Sequence, residues 1–125
     1  MMTRAAFLAV LLLAVSLEGL AGPSITLKKG RICDQEKTMC LKGNLAQDDT
    51  GNVITFVGRV AKTSGPGVVS ILLRGTDSKR HPCTTFFEFP IRGRSSEIVD
   101  EEQITGKPGI KKWRVISVTF EPYAE

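Results

Sequence analysis

One histidine, three cysteines and two short acidic runs are the residues of this chain best suited to catalysis or metal binding. His81 stands in Lys79-Arg80-His81-Pro82, so any triad or imidazole-based metal site has to be built around it. No nucleophile motif accompanies it, and a histidine in so polar a stretch reads first as an exposed loop side chain. Cys33 and Cys40 have six residues between them, more than the two to four of zinc knuckles, and no second pair follows. A structural bridge is the expected use of these thiols. Asp48-Asp49 and Asp100-Glu101-Glu102 are contiguous acids, whereas calcium loops alternate ligands with spacers and place glycine at the bend. Both runs read as solvated turns. Neither a catalytic set nor a cofactor motif emerges, so the chain is expected to be non-enzymatic and to need no cofactor or metal.

The sharper feature is basic. Lys79, Arg80 and His81 precede the aromatic segment Phe86-Phe87-Glu88-Phe89, and Arg92 and Arg94 follow it. If the two flanking loops meet at one end or edge of a sheet, their donors form a patch for carboxylate, sulfate or phosphate groups, which the planar guanidinium fork suits well. Period-two alternation puts Phe87 and Phe89 on one face and Phe86 on the other. One face is core, and Phe86 becomes a contact residue wherever its own face is open, although a covering loop is the expected arrangement.

These residues belong to a chain marked for export. Arg4, an apolar run from Ala5 to Leu17 and the small residues Gly19 and Ala21 form a tripartite signal peptide over residues 1–21, with cleavage before Gly22. The apolar run falls short of the ~20 residues needed to span a bilayer, so no membrane span is expected. Cleavage removes one base, Arg4, and one acid, Glu18; the 17 bases and 13 acids become 16 and 12, and the net charge stays +4. So mild a bias favours solubility and weak attraction to polyanions, and does not indicate nucleic-acid binding. In an oxidising compartment thiols pair, and with Cys33, Cys40 and Cys83 one must remain free or join a second chain. The loop model gives roughly 2.5 kcal/mol for a bridge between Cys33 and Cys40 and roughly 4 for either partner with Cys83. Proximity favours the short bridge kinetically, so the pairing stays open.

The elements that must position these groups read as strands. Ser24–Lys28 alternates apolar and polar residues; residues 31–52 are polar, with a short strand at Met39–Leu41. Val53–Val60 and Val68–Leu73 are rich in β-branched residues, and the turn Ser64-Gly65-Pro66-Gly67 between them predicts an antiparallel hairpin. Pro90 cannot donate a ladder hydrogen bond, so the strand Thr84–Phe89 lies at a sheet edge or stops there. Residues 97–104 fit a helical turn or a bent edge strand equally well. Trp113–Glu121 forms the strongest strand, with Trp113, Val115, Ser117 and Thr119 on one face and Arg114, Ile116, Val118 and Phe120 on the other.

Strands spaced by Gly/Pro turns over residues 22–125 predict one all-β domain: a small antiparallel β-sandwich or partly open barrel of about five to seven strands. Size and strand character resemble immunoglobulin-like domains, but Trp113 follows every cysteine where that family has Cys, Trp, Cys. The expected role is a secreted, extracellular binding or effector module, of venom, salivary, immune or host-directed type, that engages a protein or anionic glycan through its loops. The alternative is a structural extracellular protein that forms a disulfide-linked homodimer.

Overall fold

A computed structural model describes residues 24–124, so the expected signal peptide and its cleavage point lie outside the described residues. Seven strands follow one another: β1 (Ser24–Cys33), β2 (Cys40–Asp48), β3 (Val53–Lys62), β4 (Gly67–Thr76), β5 (Pro82–Ile91), β6 (Ile98–Ile104) and β7 (Arg114–Pro122). All pairings are antiparallel. They form a four-stranded sheet A in the order β1-β2-β3-β6 and a three-stranded sheet B in the order β5-β4-β7. The all-β expectation holds, and the strand number is at the top of the expected range. In the immunoglobulin arrangement the third strand crosses to the second sheet; here β3 stays beside β2.

The inner faces of the two sheets enclose the core. Leu41, Leu45, Ile54, Phe56 and Val60 of sheet A meet Val69, Ile71, Leu73, Phe87 and Phe89 of sheet B, all buried. Phe56 and Phe89 stack with ring centroids 6.4 Å apart, and Phe87 meets Phe89 edge-on at 5.5 Å. Room for the Phe56 ring comes from Gly43 and Gly58, which face each other across β2 and β3. A Cβ on either would sit 2.9 Å from that ring. Sheet A thus carries its largest core side chain over positions that have none.

The hairpin expected from Val53–Val60 and Val68–Leu73 does not form. Residues 63–66 carry the chain from sheet A to sheet B, so β3 and β4 lie in different layers. Thr63 Oγ1 donates to the Gly65 carbonyl at 2.7 Å and accepts from the Gly65 amide at 3.1 Å, which closes the turn locally without strand pairing. Burial explains the separation: β4 is the central strand of sheet B and takes β5 and β7 as neighbours.

Residues 97–104 resolve as a strand, since β6 adds to the free edge of β3 with Val99 turned into the core. The polar stretch 31–52 is mostly strand too: β1 runs on to Cys33, and β2 reaches Asp48. In β7 the register shifts opposite Leu72 and Leu73. This bulge at Ile116 breaks the alternation read from the sequence. Val115, Val118 and Phe120 pack on the core, while Arg114, Ser117 and Thr119 face outward.

Two seams separate the sheets. At the β5–β6 seam the Gln103 side chain replaces a missing ladder: its amide donates to the Phe86 carbonyl and its oxygen accepts from the Glu88 amide at 3.3 Å. That satisfies part of the backbone edge of β5, which Pro90 also blunts; of the two expected outcomes the edge is found, and the strand runs past Pro90 to Ile91.

Candidate anion-binding surface

Strand β5 is ten residues long and continuous, so its two flanking loops lie roughly 30 Å apart at ~3.3 Å per residue. Lys79, Arg80 and His81 sit at one end, Arg92 and Arg94 at the other, and the single patch anticipated from these five residues is not assembled. Each end has its own chemistry.

At the β5–β6 turn the anion is supplied internally. Glu97 accepts from the backbone amides of Arg92 at 3.0 Å, Gly93 at 3.1 Å and Arg94 at 3.4 Å. Successive amides of this kind form a concave anion nest. The carboxylate three residues beyond Arg94 occupies it.

At the β4–β5 turn Asp77 plays the corresponding part. Its Oδ1 accepts from the amides of Lys79 at 2.9 Å and His81 at 2.8 Å, and its Oδ2 lies 3.5 Å from His81 Nδ1. The His81 amide, then the Lys79 amide and the nearby imidazole, hold the Asp77 carboxyl below the ordinary aspartate range. His81 itself is 70% exposed. This turn forces Arg80 to φ 68°, a left-handed conformation that places its side chain off the strand line.

Arg80 thereby joins cations carried by other elements of the fold. A solvent-open groove at this end of sheet B is lined by Arg74, Arg80, Lys111, Lys112 and Arg114, with Asp77 its one acid. Arg74 and Arg114 are direct cross-strand partners on β4 and β7, and both are exposed. Like charges placed opposite each other destabilise a sheet pair. Among the described residues the only ion pair within 4.0 Å joins His81 to Asp77, so neither arginine has a carboxylate at that distance.

The groove is held from beneath by a polar clamp. Gln47, fully buried on β2, donates to the carbonyls of Ile110 at 3.1 Å and Lys111 at 3.3 Å and accepts from the Trp113 amide at 2.7 Å. Trp113 is fully buried, and its Nε1 donates to the Gly51 carbonyl at 2.8 Å. Gly75 lies over this indole; a Cβ there would approach the Ile110 side chain to 2.5 Å and the indole to 3.2 Å. A residue of sheet A thus reaches through the core to fix the segment that presents Lys111, Lys112 and Arg114. A glutamine within a strand was the available sequence signal, but apart from the adjacent Asp48 carbonyl its partners lie more than sixty positions away.

Phe86 lies on the same outward face. The pair Leu72 and Phe86 adjoins, two residues along each strand, the pair Arg74 and Thr84. Among the described residues no loop covers this face, and Phe86 is 54% exposed, contrary to the covering loop expected above. Glu88 and Glu121 occupy the same face toward its far end, where Ser70 Oγ donates to Glu88 at 3.0 Å. The face therefore runs from cationic, past an exposed aromatic ring, to acidic.

The cysteines are also assigned. Cys33 and Cys40 are opposite partners at the end of the β1–β2 hairpin and form a disulfide. Cys83 is a half-buried free thiol whose side chain packs against the core. Asp34, inside the seven-residue disulfide loop, is buried and accepts from the Met39 amide at 2.9 Å and from the Thr38 hydroxyl at 2.5 Å. Asp48 accepts from the amides of Asn52 and Val53 and from the Thr50 hydroxyl, so it organises a turn. Among the described residues no group of three or more His, Cys, Asp or Glu side chains converges on a metal-sized point, and no helix is long and apolar enough to cross a membrane. No protein-family model, curated protein sequence or solved structure matches this chain.

Proposed function

We propose that this chain is an extracellular, non-enzymatic binding module whose ligand is an anionic glycan held on the outer face of sheet B. The observation that carries the reading is the exposed, in-register pair Arg74 and Arg114 beside Phe86. An anion bridging the two guanidinium groups converts a repulsive pair into two charge-assisted contacts. Lys111, Lys112 and Arg80 extend the positive field along the groove, and Phe86 offers an apolar surface for a sugar ring.

Glycan fits this face better than a compact anion does. The groove is open to solvent, and its cations are spread over β4, β7 and two loops, so a single small ion cannot touch them all. Arg92 and Arg94 play no part in this site, since they lie at the other end of β5. Extracellular placement rests on the signal-like N-terminus and agrees with the disulfide.

The test is titration of a sulfated oligosaccharide into wild type and Arg74→Ala/Arg114→Ala. Two charge-assisted contacts at an exposed site, at about 1 kcal/mol each, correspond to a roughly 10- to 100-fold loss of affinity. The loss should shrink as salt rises. Phe86→Ala should weaken binding without changing the salt dependence. Equal affinity of the double-arginine variant and wild type would refute this site.

A further inference from the structure

The outward face of sheet A carries a second and independent cationic array. Arg31, Lys42 and Arg59 lie in direct register across β1, β2 and β3. All three are exposed. Neighbouring strands are about 4.8 Å apart, so three positive side chains rise from one line about 10 Å long. Lys29 stands two residues along β1, and Lys62 and Lys37 border the same corner beside the Cys33–Cys40 bridge. The acids of this face, Asp100 and Glu102, lie on β6 at the opposite edge, paired with Val57 and Thr55. None of the three cations has a carboxylate within 4.0 Å among the described residues.

Three like charges in one transverse row repel one another, and cross-strand pairing holds them there whether or not a ligand is bound. Such a row matches a linear polymer with regularly spaced anionic groups, laid across the strands. The disulfide and the Asp34-capped turn fix the hairpin that carries Arg31 and Lys42, so little ordering is needed on binding.

We infer that the Arg31–Lys42–Arg59 row is a second site for sulfated polysaccharide, on the face opposite the Arg74–Arg114 groove. Two such sites, separated by the whole sandwich, cannot grip the same short oligosaccharide. One chain can therefore join two polymer strands. The inference shares the ligand class of the proposed function but rests on different residues, so either site can fail while the other stands.

The experiment uses the folded secreted chain, a short sulfated heparin oligosaccharide and full-length heparin. Calorimetry counts oligosaccharides bound per chain, and light scattering follows cross-linking of the long polymer. Wild type should bind two oligosaccharides, and its scattering should pass through a maximum as the protein-to-polymer ratio rises. Lys42→Ala/Arg59→Ala, checked for unchanged circular dichroism and melting, should bind one oligosaccharide and lose the scattering maximum. Arg74→Ala/Arg114→Ala should do the same while leaving the sheet A site filled. Two sites persisting in Lys42→Ala/Arg59→Ala overturn the inference. A single wild-type site abolished by Arg74→Ala/Arg114→Ala also overturns it and leaves the proposed function standing. A single site abolished only by Lys42→Ala/Arg59→Ala supports the sheet A site and removes the sheet B reading. No binding by wild type overturns both.

Discussion

Replacing Gln47 by leucine is expected to be among the most damaging single changes in this domain, although no charge is altered and volume is nearly kept. The side chain is fully buried and makes three hydrogen bonds to the segment 110–113. Without it, the Trp113 amide and the Ile110 carbonyl lose partners where water is excluded. Each buried unsatisfied group costs about 1–3 kcal/mol, and the Lys111 carbonyl, nearer the surface, regains water. The two groups together cost about 2–6 kcal/mol, and leucine leaves little cavity to add to this. For a domain of about one hundred residues this lowers the melting temperature by roughly 10–30 °C. Urea denaturation measures the free energy, and fluorescence of Trp113, the only tryptophan, reports locally. Its emission should move to longer wavelength as the segment loosens. Gln47→Glu supplies a second arm. A carboxylate facing the Ile110 and Lys111 carbonyls must be protonated to keep one of those bonds, so its folded-state pKa rises above the unfolded value. Stability of Gln47→Glu is then greatest below about pH 4 and falls as pH rises through the folded value. A loss below about 0.5 kcal/mol for Gln47→Leu, with unshifted emission, would refute the clamp.

Other expectations follow from the same contacts. Asp34 is opposed by desolvation, but the Thr38 and Met39 hydrogen bonds prevail and hold its carboxyl below the ordinary value. Its contribution is thus present above the unfolded value of about 3.9 and lost as pH falls through the lower folded value, and Asp34→Asn should flatten that acid limb in pH-dependent melting. Arg80→Gly should stabilise the chain by ~1 kcal/mol, because glycine adopts φ 68° without strain, while weakening binding of sulfated oligosaccharide. Raised affinity would remove Arg80 from the groove. Loss of the Cys33–Cys40 bridge through Cys33→Ser/Cys40→Ser should cost no more than about 2.5 kcal/mol, read from urea midpoints, because the closed loop is short. Cys83, packed against the core, should leave the purified chain a monomer on non-reducing gels, with one thiol that reacts slowly with an alkylating reagent. A disulfide-linked dimer would restore the structural reading of the odd cysteine.

Strand character was legible in the sequence wherever local chemistry decided it. β-branched runs marked β3, β4 and β7, Pro90 marked an edge or a strand end, and alternation put Phe87 and Phe89 on one face with Phe86 on the other. The failures share one cause, which is dependence on a partner distant in sequence. Residues 98–104 became a strand because β3 offered an unpaired edge, and β3 and β4 separated because each found better neighbours than the other. The Ile116 bulge reversed the face of half a strand, and no local residue type announced it.

The candidate site divides in the same way. The sequence by itself determined the cationic residue types, their exposure in polar stretches and the aromatic side chain near them, because charge and hydrophobicity are local properties. Only the tertiary structure decided which cations share a surface. A ten-residue β5 held Arg80 away from Arg92 and Arg94, and sheet register brought Arg74 to Arg114, forty residues later. Register likewise aligned Arg31, Lys42 and Arg59, which look unrelated along the chain. Cross-strand neighbours are fixed by how whole strands bury their inner faces, so the outward rows of side chains are set by the packing of the core beneath them.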